Sequence, residues 1–273
     1  RSMPVTATGL HYRLDNSTAA QDPPGRPVLL QHGIGVHGAV WDAWIPALAA
    51  GRPVIRPDMR GWGQSPVPPE NHDWTMAELV SDLWQVADAA GEGTDTGPIH
   101  LFRESFGGTI VLAAALARPE RTASVTISNA SFRGHGVGEF HNWPAQFTDG
   151  VDQWSLRMMA NRFAPDALDQ DQWDRFHRMQ SATRPHVAIG LGRLLAGLDL
   201  GPRLDHLQCP LSVVLPDASP FVPVSLWSDL AARLDNIRLR VVPGVRHGLP
   251  FSHAVPESEI LADALTRLDQ AGA

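Results

Sequence analysis

Residues 99 to 110 read IHLFRESFGGTI: an apolar run, then a serine, then small residues that can open a helix. A serine hydroxyl is a poor nucleophile at neutral pH and needs an imidazole to take its proton. The imidazole in turn needs a partner that fixes its tautomer and stabilises its charged form. A sharp strand-to-helix turn pushes such a serine out at the carboxyl end of a sheet, and the usual spelling of that turn is Gly-x-Ser-x-Gly. Here the five positions are Arg103, Glu104, Ser105, Phe106 and Gly107, with arginine where the first glycine is expected. A lone serine ahead of a helix is most often only an N-cap, so the surroundings must decide.

Three other stretches lift Ser105 above that reading. LLQHGIG (29–35) places His32 and Gly33 after an apolar run, and the next N–H, from Ile34, can help to form an oxyanion hole. The N–H of Phe106, at a helix N-terminus, is the second candidate donor. DMRGWGQS (58–65) is a glycine-rich loop after the next apolar run, and VVPGVRHGLP (241–250) puts His247 just past the last one. His247 alone reads as an ordinary loop histidine. A serine after an early strand and a histidine after the last one together favour nucleophilic catalysis.

The elements that must position these residues alternate. RPVLLQHG (26–33), RPVIRPDMRG (52–61), GPIHLF (97–102), ASVTISNA (123–130), CPLSVVLPD (209–217) and IRLRVVPG (237–244) are short aliphatic runs bounded by Pro or Gly. Strands buried on both faces read this way. Between them, residues 75–91 show a helical face of Met76, Leu79, Val80, Leu83 and Val86, with Thr75 and Glu78 at capping-box spacing. Residues 107–120, 224–234 and 257–268 are further helices. The expected fold class is α/β, a mostly parallel central sheet with helices on both faces.

The alternation breaks from 132 to 208, which reads as helices without strands, clearest at 167–180 and 186–198. The expected organisation is therefore a core of residues 1–131 and 209–273 with an inserted helical cap at 132–208. Residues 15–27 read as a surface hairpin turn.

The 273 residues carry a net charge of −7 and no basic stripe, which argues against a nucleic-acid partner. The single cysteine, Cys209, excludes an internal disulfide framework and fits a reducing compartment. No apolar run reaches membrane-helix length, and the first residues lack a signal-type apolar stretch. The expectation is a soluble, cytoplasmic monomer or homodimer whose partner is a small-molecule substrate.

Taken in order, QHGIG, PDMRGWGQS, ESFGG, the inserted cap, PDASPFVP and GVRHG resemble the α/β-hydrolase family over nearly the whole chain. The resemblance implies the α/β-hydrolase fold, Ser105 as nucleophile, His247 as base, Ile34 and Phe106 as oxyanion donors, and no metal or organic cofactor. The short cap and motif spacing look most like small esterases, enol-lactone hydrolases and hydrolases of ring-cleavage products.

The acid departs from the family pattern. That pattern reads Gly-Asp-x-Asp-x-x-Val-Pro, and alignment through Val222-Pro223 puts Ser219 at the acid position. The nearest carboxylate, Asp217, is taken as the acid on a reshaped loop; its bland alternative is a turn residue. Some members place the acid after the strand beyond the nucleophile helix, where this chain has Asn129. Asn129 or Ser219 orienting the histidine is the second reading, and no competent triad at all is the third.

Arg103 must reach solvent, pair with a carboxylate or displace the turn, because an unpaired buried charge costs several kcal/mol. It is read as an accommodated or engineered substitution, or else as a fork for a substrate carboxylate. The cap supplies an apolar roof of Trp143, Trp154, Met158, Met159, Phe163 and Trp173. Gly33, His37, Trp143 and Met158 are the candidate substrate contacts, with Trp41 a further one; Arg157 reads as an exposed helix arginine. The leading expectation is a cofactor-independent serine hydrolase cutting an ester, lactone or related bond. Its alternatives are C–C hydrolysis, cofactor-free oxygenation, or non-catalytic ligand binding or signalling on the same fold.

Overall fold

The computed structural model describes residues 4–16, 24–91, 97–135 and 143–272. Seven strands form one sheet in the order β1-β3-β2-β4-β5-β6-β7. They are β1 (Tyr12–Asp15), β2 (Val28–Gln31), β3 (Val54–Pro57), β4 (Ile99–Glu104), β5 (Thr122–Ser128), β6 (Leu211–Pro216) and β7 (Ile237–Val242). β1 runs antiparallel to β3, and every other pairing is parallel. β2, β3 and β4 are buried along their whole length, which is why they read as continuous aliphatic runs.

β1 is a strand that the sequence reading left out. It is a half-buried edge strand with Arg13 and Asp15 among its four residues, too short and too polar to stand out. The turn expected over 15–27 falls partly on residues 17–23, outside the described residues.

Among the described residues ten α-helices accompany the sheet. In the core these are α1 (Ile45–Leu48), α2 (Met76–Ala90) and α3 (Phe106–Ala117). Between β5 and β6 the chain inserts α4 (Trp143–Gln146), α5 (Val151–Arg162), α6 (Gln170–Ser181) and α7 (Pro185–Ala196). It closes with α8 (Val224–Ala231), α9 (Leu249–Ser252) and α10 (Ala254–Ala271). Two apolar cores flank the sheet, one with α2, α3 and α7 and the other with α1 and α10.

The cap of α2 is half of what its spelling predicts. The Thr75 hydroxyl accepts from the Glu78 N–H, but the Glu78 carboxylate meets His72 at 2.7 Å instead of turning back. The complete capping box lies at Asp169 and Gln172 on α6. Among the described residues no helix is long and apolar enough to cross a membrane.

Candidate active site

β4 delivers Ser105 at the carboxyl end of the sheet, and α3 begins at the next residue. Ser105 stands at φ 53°, ψ −140°, a region an L-residue occupies at a cost on the order of 1–3 kcal/mol. Its N–H donates to Ser128 O at 3.0 Å, and its carbonyl accepts from Gly108 N at 2.8 Å, so both neighbouring elements hold the turn. Close packing demands Gly108: a Cβ there would sit 2.1 Å from the Ala130 Cβ. The serine side chain makes no capping bond to α3. Instead its Oγ lies 2.9 Å from His247 Nε2, so the N-cap alternative does not describe it.

His247 lies between β7 and α9 and is almost fully buried. Gly248 N donates to Arg162 O at 2.8 Å, and the Phe221 ring meets the imidazole edge-on at 4.6 Å. Burial, and then the nearby Arg162 charge, hold the imidazole pKa well below the ordinary 6.5, so the ring is neutral at neutral pH.

The partner of its second nitrogen is Asn129. This residue follows β5 directly, at φ 51°, a conformation that asparagine tolerates better than most residues. Its N–H donates to Val214 O, and its amide Nδ2 donates to His247 O at 2.9 Å. The same Nδ2 lies 2.5 Å from His247 Nδ1, while Ser219 Oγ stands 3.4 Å from that nitrogen.

Asp217 does not take the acid's place, and the expectation for it is corrected here. Its N–H is tied to Val242 O and that of Ala218 to Val245 O, which pins the exit of β6 along β7. The Asp217 carboxylate then turns onto Gly244 N at 2.7 Å, exposed and without contact to His247. Ser219, the position that alignment through Val222-Pro223 gives to the acid, has its Oγ 3.4 Å from His247 Nδ1 and carries no carboxylate.

Gly33, Ile34 and Phe106 surround the serine. A Cβ on Gly33 would stand 3.1 Å from the Ser105 Cβ and 3.3 Å from Glu104 Oε1, so glycine lets this loop approach the nucleophile. Ile34 and Phe106 both line the cleft beside Ser105. His32, one residue earlier, is structural: its Nδ1–H donates to Gly33 O at 2.8 Å, and its Nε2 accepts from Met59 N at 2.8 Å.

Of the other candidate contacts, Met158 and Trp154 line the cleft. His37 does not; its Nδ1 accepts from Ala39 N and caps the short helix at 38–44. Trp41 is core, edge-on to Trp44 and Phe102. Trp143 starts α4, and its side chain lies outside the described part. Arg157 is an exposed helix arginine bonded to Gln146 O, as expected.

Arg103 takes none of the three routes expected for it. It is fully buried, and the turn after it keeps its geometry. Its Nε and Nη2 donate to His32 O at 3.2 and 2.9 Å, Nη2 also meets Met59 Sδ, and Nη1 has no partner. Gly107 makes the space, since a Cβ there would sit 1.6 Å from Arg103 Nε. The guanidinium does not line the cleft with Ser105, so the substrate-fork reading is corrected. Burial pushes its pKa down, against which the neighbouring Glu104 acts.

Two buried charged residues at the site escaped the sequence reading. Glu104 sits beside the nucleophile, its carboxyl pushed up by burial, and a charge inside an aliphatic run was the available signal. Arg162 ends α5, lines the cleft and donates from Nη2 to Ile34 O at 2.9 Å. Nothing in its helical spacing distinguishes it from a solvated arginine. The cleft is lined mostly by apolar side chains, among them Trp154, Met158, Leu195 and Val222.

A family model described as alpha/beta hydrolase fold matches residues 26–254. A putative carbamate hydrolase, RutD, of Caulobacter vibrioides is 28% identical over 95% of this chain and 96% of its own. A 2-hydroxy-6-oxononadienedioate/2-hydroxy-6-oxononatrienedioate hydrolase of Paraburkholderia xenovorans is 27% identical over 87% of this chain and 86% of its own. Among solved structures, a thermophilic esterase from Thermogutta terrifontis superimposes with TM-score 0.82 at 22% identity, covering 98% of each chain.

Proposed function

The chain belongs to the alpha/beta hydrolase fold family and is a hydrolase of that fold, and on this premise we propose that it is a cofactor-independent serine hydrolase of a small ester, lactone or related substrate. The observation that supports this most is Ser105 itself. Its backbone is strained, and its hydroxyl forgoes the helix cap and lies 2.9 Å from His247 Nε2.

Ser105 Oγ attacks the carbonyl carbon while its proton passes to His247 Nε2, and the C=O electron pair becomes an oxyanion held by the N–H groups of Ile34 and Phe106. Collapse of that intermediate breaks the bond to the leaving alkoxide, which takes the proton back from Nε2. A water molecule then repeats the sequence on the acyl-serine, releasing the acid and restoring Ser105.

Asn129 sets the condition for this cycle. With Nδ2 turned to Nδ1, the ring keeps its proton on Nε2 and cannot act as base. Rotating the amide by half a turn brings Oδ1, buried and otherwise unpartnered, onto an Nδ1–H, at the cost of the Nδ2 bond to His247 O. That tautomer leaves Nε2 free for the serine proton. The amide orients the imidazole but cannot balance an imidazolium.

The same amide favours a second reading, ligand binding without turnover. Treatment with a fluorophosphonate and intact-mass measurement separates the two. One adduct per chain, abolished in Ser105→Ala, supports the hydrolase; no adduct between about pH 6 and 9, where a histidine base is neutral, supports binding.

A further inference from the structure

We propose that the substrate carries a carboxylate, and that Arg162 is the side chain that receives it. The inference rests on the serine-hydrolase reading of the site and narrows its substrate class.

Arg162 is placed by cap and core together. Its backbone carbonyl accepts from Gly248, the residue after His247, and its Nη2 donates to the carbonyl of Ile34 in the oxyanion loop. The side chain is 5% exposed, and its Nε and Nη1 have no hydrogen-bond partner. A guanidinium has five N–H donors in a fixed fork, and leaving them unpaired in a buried site is costly. Among the described residues that line the cleft, Arg162 is the one bearing a formal charge.

The surrounding charges do not satisfy it. Glu104 pairs with it only loosely, Oε1 3.8 Å from Nη1 and beyond hydrogen-bond reach, and the Phe176 ring covers it at 5.4 Å without supplying an acceptor in the guanidinium plane. Glu104 also faces the buried cation of Arg103, so two guanidiniums share one carboxylate. In an ordinary triad a second carboxylate would stand at His247 Nδ1, but here Asn129 and Ser219 occupy that place. The interior around the nucleophile therefore holds an excess positive charge, and an anionic ligand offsets it. A carboxylate fits better than a phosphate dianion, because the second N–H of Nη2 makes a planar fork with the unpartnered Nε or Nη1 that matches two oxygens, and the remaining wall is mostly apolar.

Arg162 could instead serve every substrate alike by stabilising the oxyanion, and the test separates the two roles. The rate at which a neutral fluorophosphonate labels Ser105 is measured with butyrate or butyramide present, and with benzoate or benzamide. Each acid is expected to slow labelling about tenfold at millimolar concentration while its amide does not, the scale of one charge-assisted fork. Arg162→Gln, checked for folding by thermal melt, is expected to lose the difference between acid and amide, and Arg162→Lys to keep part of it. Equal protection by acid and amide, or protection by acids that survives in Arg162→Gln, overturns the proposal while leaving the labelled serine intact. Equal slowing of labelling by Arg162→Gln with no acid effect identifies the oxyanion role instead. Absence of labelling in the unaltered protein overturns the nucleophile reading, and this proposal with it.

Discussion

The amide of Asn129 lies against the imidazole of His247, Nδ2 to Nδ1 at 2.5 Å and Nδ2 to the histidine carbonyl at 2.9 Å. A neutral group thus occupies the position from which a carboxylate would steady the imidazolium. Replacing a triad Asp by Asn costs about 10⁴ in kcat in a serine protease, so the reverse change has a large range to recover. Asn129→Asp is expected to raise the rate of fluorophosphonate labelling by roughly 100-fold, measured by intact mass against time. Ser219→Asp, entering from the other side of Nδ1, is expected to act in the same direction. A slower rate in both variants would mean that the amide is not the limiting partner.

Gly33 tests the close approach of the oxyanion loop. An added Cβ lies 3.1 Å from the Ser105 Cβ, so the loop must give by a few tenths of an ångström. Gly33→Ala is expected to slow acylation roughly tenfold with little change in unfolding midpoint, because small displacements at a reacting centre are expensive. Kinetics together with urea unfolding check it.

Arg103 carries a buried charge with no hydrogen-bonded carboxylate. Replacing such a charge by an apolar side chain of similar length commonly stabilises by about 1–4 kcal/mol. Arg103→Met is therefore expected to raise the urea midpoint even though His32 O loses its donor. Arg103→Gly, which restores the usual elbow residue but leaves a void, is expected to raise activity or stability by less. Unchanged midpoints would show that the guanidinium is well solvated by its two carbonyl-directed bonds.

Acidity acts on the site and on the fold in the same direction. His247 must be neutral to take a proton, and burial with Arg162 holds its pKa below 6.5, so kcat/KM is expected to be flat at neutral pH and to fall only below the ordinary histidine range. Arg162→Gln removes a nearby cation and is expected to move that acid limb upward. His32 is lowered to about 3 by burial, and only its neutral form can donate to Gly33 O while accepting from Met59 N. The folded chain then binds fewer protons than the unfolded chain between about pH 3 and 6.5, so stability is full above 6.5 and falls as pH drops through that window. Glu104, raised by burial, opposes this above the ordinary carboxylate range, so the slope is read by urea unfolding at fixed salt in the unaltered chain and in Glu104→Gln.

The sheet was legible because its parallel strands are buried on both faces and spell themselves as aliphatic runs, and because the nucleophile and histidine sit at their ends. β1 was not, since an edge strand with Arg13 and Asp15 lacks that signature. Asn129 was readable as a candidate from its place after β5, but Asp217 looked better on charge alone. What decided between them is the pairing of the Asp217 and Ala218 backbones with β7, which no local spelling encodes. Arg162 was invisible for a related reason. Its role comes from where the end of α5 docks, between the Ile34 loop and the His247 loop, and that is tertiary information.

The proposed function has Ser105 form an acyl-enzyme with His247 as its base. Its most direct measurement is intact mass of the protein quenched in acid during turnover of an activated ester, with the modified peptide then sequenced. A single acyl increment is expected on Ser105, one that decays on standing, is absent in Ser105→Ala and is strongly reduced in His247→Ala. An acyl group elsewhere on the chain, or ester turnover that persists in Ser105→Ala, would contradict it.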